Sequence, residues 1–452
     1  MNYYIIPKNN FNITISLQTK SENISPFISY SLIYHLNDIY SQLLNIEFDE
    51  TETTLEYINK IVNPFEFIHT NVPGYFLSVS KVKPSSNIFF ELMEIFQVCN
   101  IIELLLLKTQ FHIAHITKNN SSTNYLIEML RENNTDNVIN EDFDYNKLCD
   151  TFVSNNNNIY NHKIDIFLFE FSETDYINTH QYINNMILVL YIISKYQADK
   201  GICIIKIDNL FYKTIVDILF IFSAIYEKVI IIKPSISKVT KGERYLICKN
   251  FNIDILTNSK LLQQLDIHIK PKIENKMLKS DIIHSLIKNS VPYYFINKLE
   301  EINAVIGQQQ LEAYDQILNI LKNKNRNDKI ELLKRNHIQK CIQWCEKNQL
   351  PHNKFTEKMN IYIDNQQVVI DDNQKVVIDD NNNTKLIEDN NSKNNIDNID
   401  NIVYNVVYNI VENIVDNIVD NNEEIILFNN LINEIDEINE LCISNIEIIN
   451  SI

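Results

Sequence analysis

The sequence predicts a doubly wound α/β domain built around a mostly parallel sheet. Between residues 111 and 251, short runs rich in β-branched and aromatic residues alternate with longer segments whose apolar residues recur at helical spacing. Of the 452 residues, 45% are hydrophobic, which is enough for a substantial core. The last two runs are too close in sequence for a crossover helix, so we expect them to pair antiparallel.

Five strands are predicted in this region, each a short apolar run of the kind that is buried in parallel sheets. They are residues 111–116, 164–171, 201–207, 228–234 and 244–251. The intervening segments carry apolar residues at helical spacing, and a further helix leads into the sheet. These predicted helices are residues 122–133, 179–197, 209–226 and, upstream, 85–107.

Changes in sequence pattern divide the chain into four regions. Residues 1–80 are an N-terminal extension of mixed pattern, and residues 81–255 form the α/β domain. Residues 256–360 are predicted to be a helical C-terminal appendix whose amphipathic helices cover residues 274–288, 299–323 and 328–349. Residues 361–452 are an acidic low-complexity tail of Asn, Asp, Ile and Val.

The tail carries most of the net charge of −18. It holds 19 acidic residues and three lysines, whereas residues 1–360 are close to neutral. An eight-residue repeat, QVVIDDNQ then KVVIDDNN, precedes an Ile-Val pattern of period four, which would wind around a straight helix. We expect a disordered or weakly self-associating segment that offers a contact for a protein partner. A coiled-coil-like partner helix near residues 401–450 is the alternative.

Composition predicts an intracellular protein without a membrane span. The seven cysteines include no close CxxC pair, and the first residues lack a charged segment followed by an apolar block. Residues 186–196 are too short to cross a bilayer, and residues 214–232 are interrupted by Asp217, Glu227 and Lys228. Heavy use of Asn, Ile, Lys and Tyr, with only four Gly, is the bias of an AT-rich genome.

Charged residues end several predicted strands, which is where ligands of α/β sheets bind. Glu170, Lys206 and Lys233 end three strands, and Glu243 precedes the last one. A lysine between carboxylates in apolar surroundings is a candidate general base, since burial lowers its pKa toward neutrality and the carboxylates orient it. The alternative is a strand-end lysine that extends to solvent, with Glu243 as its surface partner.

Residues 201–251 carry a family resemblance. Its motifs are Ile205-Lys206 and Lys233-Pro234 at two strand ends, Ser237-Lys238 in the following loop, and Gly242-Glu243-Arg244-Tyr245 at the last strand. In order and spacing they resemble the FtsJ (RrmJ-type) ribose 2′-O-methyltransferases, which include eukaryotic and large-DNA-virus mRNA cap methyltransferases. The fold implied by this resemblance is a Rossmann-like S-adenosylmethionine methyltransferase sheet with an antiparallel last strand.

The resemblance implies methyl transfer from S-adenosylmethionine to a 2′-hydroxyl of RNA, with capped mRNA as the expected substrate. Lys206 would orient the hydroxyl, Glu243 would orient Lys206, and Glu170 stands in the register of a catalytic aspartate. The candidates for contacts with RNA phosphates are Lys233, Lys238 and Lys241. Composition and resemblance together suggest a large cytoplasmic DNA virus, and so a location in the cytoplasm, a viral factory or a virion.

The sequence departs from the family pattern on the cofactor side. Glu91 stands where the family has a lysine, and phenylalanines flank Glu170 where small residues are expected. The loop after the first strand has no Gly, Pro or acidic residue, so Asn119 and Asn120 are its candidate cofactor contacts. Two alternatives therefore stay open: a non-catalytic methyltransferase-fold subunit that binds RNA or scaffolds an RNA-processing or virion complex, and an unrelated α/β protein.

The histidines and cysteines do not predict a metal site. His112 and His115 lie three apart in a predicted strand and so point to opposite faces, as core or surface residues do. His337, Cys341 and Cys345 share one stripe of a predicted helix, where three ligands would span about 12 Å. That span is too long for one tetrahedral ion. We therefore expect these side chains to serve helix packing.

Overall fold

The computed structural model of the chain divides into two units, residues 1–365 and residues 366–452. It describes residues 2–10, 12–20, 24–44, 53–101, 110–117, 126, 137–141, 144–154, 163–171, 178–274, 282–322, 326–353, 355, 369–370 and 374–375. In the second unit the described residues are two short antiparallel strands, Val369–Ile370 and Gln374–Lys375, within the eight-residue repeat.

The described strands of the first unit are, in chain order, β1 (Asn2–Ile6), β2 (Ile15–Lys20), β3 (His112–Ile116), β4 (Asn137–Glu141), β5 (Ile164–Glu170), β6 (Gln197–Ile207), β7 (Tyr226–Lys233), β8 (Arg244–Phe251) and β9 (Ile282–Ile287). All but β2 and β9 form one seven-stranded sheet, in the order β1-β7-β8-β6-β5-β3-β4. Neighbours from β4 to β6 are parallel. β8 is antiparallel to both β6 and β7, and β1 is antiparallel to β7.

The described α-helices are α1 (Tyr30–Leu44), α2 (Thr53–Val62), α3 (Ile88–Val98), α4 (Tyr145–Cys149), α5 (Thr179–Tyr196), α6 (Lys213–Ile225), α7 (Ile253–Asn258), α8 (Leu261–His268), α9 (Lys270–Glu274), α10 (Tyr293–Lys322) and α11 (Arg326–Lys347). Local sequence sets where they begin: Asn178 precedes α5, and its side-chain oxygen accepts from the backbone N–H groups of His180 and Gln181. None of these helices is long and apolar enough to cross a membrane.

The helices cover both faces of the sheet and bury two apolar cores. α5 and α6 pack with the first core, whereas α2, α3 and α11 pack with the second. α10 reaches both, since Phe295 and Leu299 belong to the first core and Ala313 and Ile317 to the second. This 30-residue helix therefore ties the two sides of the sheet together.

Alternation along the central strands decides which side chains enter which core. In β6, Cys203 and Ile205 belong to the first core, and Ile202 and Ile204 to the second. Successive side chains of a strand point to opposite faces, so one continuous apolar run fills both cores. Any polar residue in such a run is directed to a defined face, and this places the candidate site.

The fold class predicted from the sequence is confirmed: the chain is α/β, with a Rossmann-like parallel core and an antiparallel last strand. The five predicted strands are present, and those over 201–207 and 228–234 begin earlier than predicted. The predicted helix over 122–133 falls on residues that, apart from Leu126, lie outside the described ones. β1 belongs to the sheet although the sequence placed it in an N-terminal extension.

One helix prediction is wrong. The segment 274–288, predicted to be an amphipathic helix, contains the strand β9, which pairs antiparallel with β2. The run IIHSLI is short, and periodicity alone does not separate helix from strand in short apolar runs. Pairing with a strand that lies far away in the sequence decides the conformation.

Candidate functional site

Three polar side chains meet at the carboxyl end of the parallel strands. Glu170 of β5 pairs in register with Lys206 of β6, and Lys206 pairs with Tyr245 of β8. Leu168 and Ile204, two residues before Glu170 and Lys206, point into the second core. The polar row therefore continues that face of the sheet, where α3 packs.

Lys206 is the centre of the site. Its Nζ lies 3.0 Å from Glu243 Oε2 and 3.6 Å from Glu91 Oε2, and 5.8 Å from the centroid of the Tyr245 ring. The Lys206 side chain is 11% exposed, so these charges are largely withdrawn from water. Electrostatic attraction is strong in such surroundings, because little solvent screens it.

The charge on Lys206 is stabilised, not suppressed. Burial by itself lowers the pKa of this ammonium, but the carboxylates of Glu91, Glu243 and Glu170 outweigh burial and hold the pKa above its ordinary value. The predicted lowering of the pKa toward neutrality is therefore wrong. Lys206 is a charged hydrogen-bond donor fixed by carboxylates and not a neutral base.

Glu91 comes to the site from α3, on the helix face that covers the sheet. Its Oε2 accepts a hydrogen bond from the Tyr245 hydroxyl at 2.6 Å. One turn later, Glu94 accepts from both the backbone N–H and the hydroxyl of Ser235, at 2.9 and 2.8 Å. α3 thus holds Lys206 through one carboxylate and the loop after β7 through another.

Glu170 lies beside a buried histidine. His115 of β3 is 0% exposed, and its Nε2 is 3.6 Å from Glu170 Oε2. Neither carboxylate oxygen of Glu170 accepts a hydrogen bond from a described residue. His115 is a core residue, which is one of the two alternatives predicted from the sequence. Alternation along β3 from Ile113 brings it to the same face as Glu170, and this contact was not predicted.

Glu243 is positioned by a loop, residues 234–243, that is anchored from several sides. The ammonium of Lys233 donates to the carbonyls of Lys238, Lys241 and Glu243 at 3.2, 2.6 and 3.1 Å. Burial raises the pKa of Glu243, but Lys206 and the neighbouring lysines outweigh burial, so this pKa lies below its ordinary value. Glu243 is thus an ionised partner for Lys206.

Lys233 is a structural residue of this loop in the present geometry. It is 4% exposed, and its ammonium is directed at backbone carbonyls, while its contact with an RNA phosphate stays a prediction. Burial, followed by the nearby Arg244, lowers the pKa of Lys233 to about 8. Lys238 and Lys241, the other two predicted phosphate contacts, are exposed on the loop.

α2 and α10 hold the same loop. The Tyr314 hydroxyl of α10 donates to the carbonyl of Thr240 at 2.9 Å. Buried Arg244 donates to the side-chain oxygen of Asn303 of α10 at 3.0 Å. Beyond the end of α2, Asn63 accepts from the backbone N–H of Val239 at 2.9 Å. Helices outside the predicted α/β domain therefore help to place Glu243, and no pattern in the sequence predicts these contacts.

The predicted cofactor contacts, Asn119 and Asn120, lie outside the described residues.

Within the part of the chain that is described, no group of three His, Cys, Asp or Glu side chains could hold a metal ion. His337, Cys341 and Cys345 lie buried on α11, where the Cys341 thiol donates to the carbonyl of Pro64 at 3.6 Å.

Comparison with known proteins adds little to this geometry. No protein-family model matches the sequence, and no curated protein matches it. Among solved structures, a Plasmodium falciparum protein assigned as a ribosomal RNA methyltransferase is similar at 18% identity and a TM-score of 0.27, over 37% of this chain and 97% of its own. A likeness at this level carries no argument about function.

Proposed function

We propose that this protein is a diverged FtsJ-type RNA ribose 2′-O-methyltransferase, with capped mRNA as the expected substrate. The observation that carries the proposal is the convergence of Lys206, Glu243 and Glu170 at one strand edge. Lys206 is 3.0 Å from Glu243 and is the cross-strand neighbour of Glu170. Lys206 and Glu243 are the residues that the motifs of residues 201–251 imply, and Glu170 stands in the register of the family's catalytic aspartate.

The chemistry assigned to the site follows from its charges. S-adenosylmethionine supplies an electrophilic methyl group. Lys206, held by Glu243 and Glu91, donates a hydrogen bond that fixes the 2′-oxygen and stabilises negative charge on it. Because Lys206 is already protonated, the hydroxyl proton goes to a carboxylate. Glu170, whose oxygens accept no hydrogen bond from the described residues, is the acceptor in this proposal.

The charges of the residues around Lys206 can be compared with the charge of S-adenosylmethionine. The three carboxylates of Glu91, Glu170 and Glu243 outnumber the two ammonium groups that act on them, those of Lys206 and Lys233. An excess of carboxylates favours a cationic ligand, and the sulfonium of S-adenosylmethionine is a cation. The family pattern combines two lysines with two acids, whereas this chain has Glu91 in place of one lysine. We therefore expect slower methyl transfer than in typical members of the family.

The test combines calorimetry of S-adenosylmethionine binding with methyl transfer to capped RNA. Lys206→Arg keeps a cation among the carboxylates but moves the donor, so the variant is expected to fold and to lose transfer by about 100-fold or more. Lys228→Arg, an exposed lysine at the other end of β7, is the matched control. Absence of cofactor binding, or transfer that Lys206→Arg leaves unchanged, contradicts the proposal.

A non-catalytic, RNA-binding or scaffolding subunit of an RNA-processing or virion complex is the second candidate. Glu91 favours it, because a carboxylate in place of the family's lysine pairs with Lys206 and with the Tyr245 hydroxyl. Such contacts serve stability as well as they serve catalysis. In this case RNA binds, S-adenosylmethionine does not, and Lys206→Arg changes neither result.

A further inference from the structure

A pocket of about 410 Å³ opens beside the loop that carries Glu243. Its walls come from Pro64 and Phe65 beyond the end of α2, from Lys233 at the end of β7 with the loop up to Val239, and from residues 309–316 of α10. The volume is within the range of small-ligand sites. Lys233 links the pocket to the candidate site, since it is one of the lining residues and its ammonium donates to the Glu243 carbonyl at 3.1 Å.

The pocket combines a flat apolar side with a polar side. Phe65 and Pro64 contribute an aromatic and an aliphatic ring, both half-buried. On α10, Gln309, Glu312 and Gln316 follow one another at three- and four-residue spacing, so they share one face of the helix. A nucleobase has the matching chemistry: apolar faces that stack on rings, and edges that hydrogen-bond to amides and carboxylates.

Charge separates the inside of the pocket from its surroundings. Among the lining residues, Lys233 has its ammonium bonded to backbone carbonyls, and exposed Glu312 accepts a hydrogen bond from Gln308 of the same helix, so the charges of the lining balance and suit an uncharged group. Outside, Lys238 and Lys241 are exposed on the same loop, so phosphates beside the pocket would meet two positive charges. A neutral interior next to exposed cations is the pattern that a nucleotide strand requires.

We propose that this pocket binds one unstacked base of a single-stranded RNA, with Lys238 and Lys241 beside the adjoining phosphates. The inference rests on the proposed function for the class of partner, and it adds a place for a base next to the reacting nucleotide. α10 and the end of α2, which lie outside the sheet, then position the RNA as well as the loop.

The first test measures binding of a short fluorescent single-stranded RNA by anisotropy, without S-adenosylmethionine. Gln316→Trp fills the pocket from the half-buried side of α10 and is expected to weaken binding about 10-fold, the loss expected for one stacked base. Lys238→Ala combined with Lys241→Ala is expected to reduce the slope of log affinity against log salt by about 1.4, two phosphates at about 0.7 each. Lys228→Ala with Lys288→Ala, both exposed elsewhere, is the charge control.

The second test locates the base. RNA that contains 4-thiouridine is cross-linked to the wild type and to Gln316→Trp, and the linked peptides are identified. We expect links to Phe65 or to residues 309–316 in the wild type and their loss in the variant, whose thermal unfolding verifies folding.

These measurements separate the pocket from the enzyme. Cross-links in the pocket without methyl transfer support the pocket and contradict the proposed reaction. Methyl transfer with cross-links elsewhere, and unchanged binding by Gln316→Trp, overturns the pocket alone. Failure to bind RNA, including the case in which a protein segment occupies the pocket instead, overturns it as well.

Discussion

Two buried lysines at the same edge of the sheet, Lys206 and Lys233, have opposite pKa shifts. Lys206 ends β6 among the carboxylates of Glu91, Glu243 and Glu170, and its pKa lies above the ordinary value although burial opposes this. Lys233 ends β7 among backbone carbonyls, and burial lowers its pKa to about 8. The difference comes from the partners, because a carboxylate brings a full charge and a carbonyl only a dipole.

The contrast shows what a strand-end position does and does not imply. Both lysines stand where ligands of α/β sheets bind, and both belong to motifs of the resemblance. The two lysines differ in direct contacts: Lys206 forms ion pairs with carboxylates from two separate elements, α3 and the loop before β8, and Glu170 of β5 adds to their field. The ammonium of Lys233 is bonded to backbone carbonyls of one loop. The charged contacts of Lys206 therefore favour a role in chemistry. The bonds of Lys233 to one segment favour a role in holding the loop.

The largest effect is expected from Lys206→Met. It leaves the buried carboxylates of Glu91 and Glu243 without their ammonium, so the free energy of unfolding is expected to fall by about 3–5 kcal/mol. Adding Glu91→Gln removes one of the uncompensated charges and is expected to restore part of the loss. Urea unfolding at pH 7 measures both. A loss in the single variant of about 0–1 kcal/mol, as for a surface ion pair, contradicts a buried charged cluster.

A smaller effect is expected from Lys233→Met. The substitution removes a donor to three carbonyls of the loop, but it also removes a buried charge that no carboxylate of a described residue accepts from. These terms oppose one another, and we expect a net loss of about 1–2 kcal/mol in the free energy of unfolding. The same urea series measures it. A loss as large as that of Lys206→Met contradicts the comparison.

The two lysines also predict opposite dependence on pH. The folded pKa of Lys233, about 8, lies below its ordinary value of 10.5, so between these values the unfolded chain binds more protons. The contribution of Lys233 to stability therefore rises with pH across this window. The folded pKa of Lys206 is raised, so its contribution is present below the ordinary value and is lost as pH rises through the folded one.

Unfolding of the wild type and of Lys233→Met at several pH values between about 8 and 10.5 tests this sign. The wild type is expected to gain stability relative to the variant as pH rises, because other titrating groups are common to both proteins. A constant difference would mean that Lys233 keeps its ordinary pKa in the folded protein.

Most of the sheet could be predicted because its central strands are continuous apolar runs, and such runs specify buried strands wherever they occur. The edge strand β1 and the separate two-stranded sheet of β2 and β9 could not be predicted. β1 pairs with β7, and β9 pairs with β2, across more than 200 residues of chain. A short run such as Asn2–Ile6 becomes a strand only because a partner far away in sequence offers an edge.

The site was predictable to the extent that strand ends specify it. Glu170, Lys206 and Glu243 follow from the strand pattern and the resemblance. Glu91 aligns with the family's lysine, but its contact with Lys206 depends on how α3 packs on the sheet. The bond from Tyr314 to Thr240 depends on the placement of α10, which no local pattern specifies.

The smallest effect is expected from Tyr314→Phe, which removes a single bond between α10 and the loop that carries Glu243. The hydroxyl donates to the carbonyl of Thr240 at 2.9 Å, and its loss is expected to cost about 0.5–1.5 kcal/mol of unfolding free energy. Tyr293→Phe is the matched control, because Tyr293 lies on the same helix and is 77% exposed. If α10 positions Glu243, Tyr314→Phe also slows methyl transfer under conditions where both variants are fully folded. A loss of stability with unchanged transfer would show that α10 supports the fold of the loop without setting the geometry around Lys206.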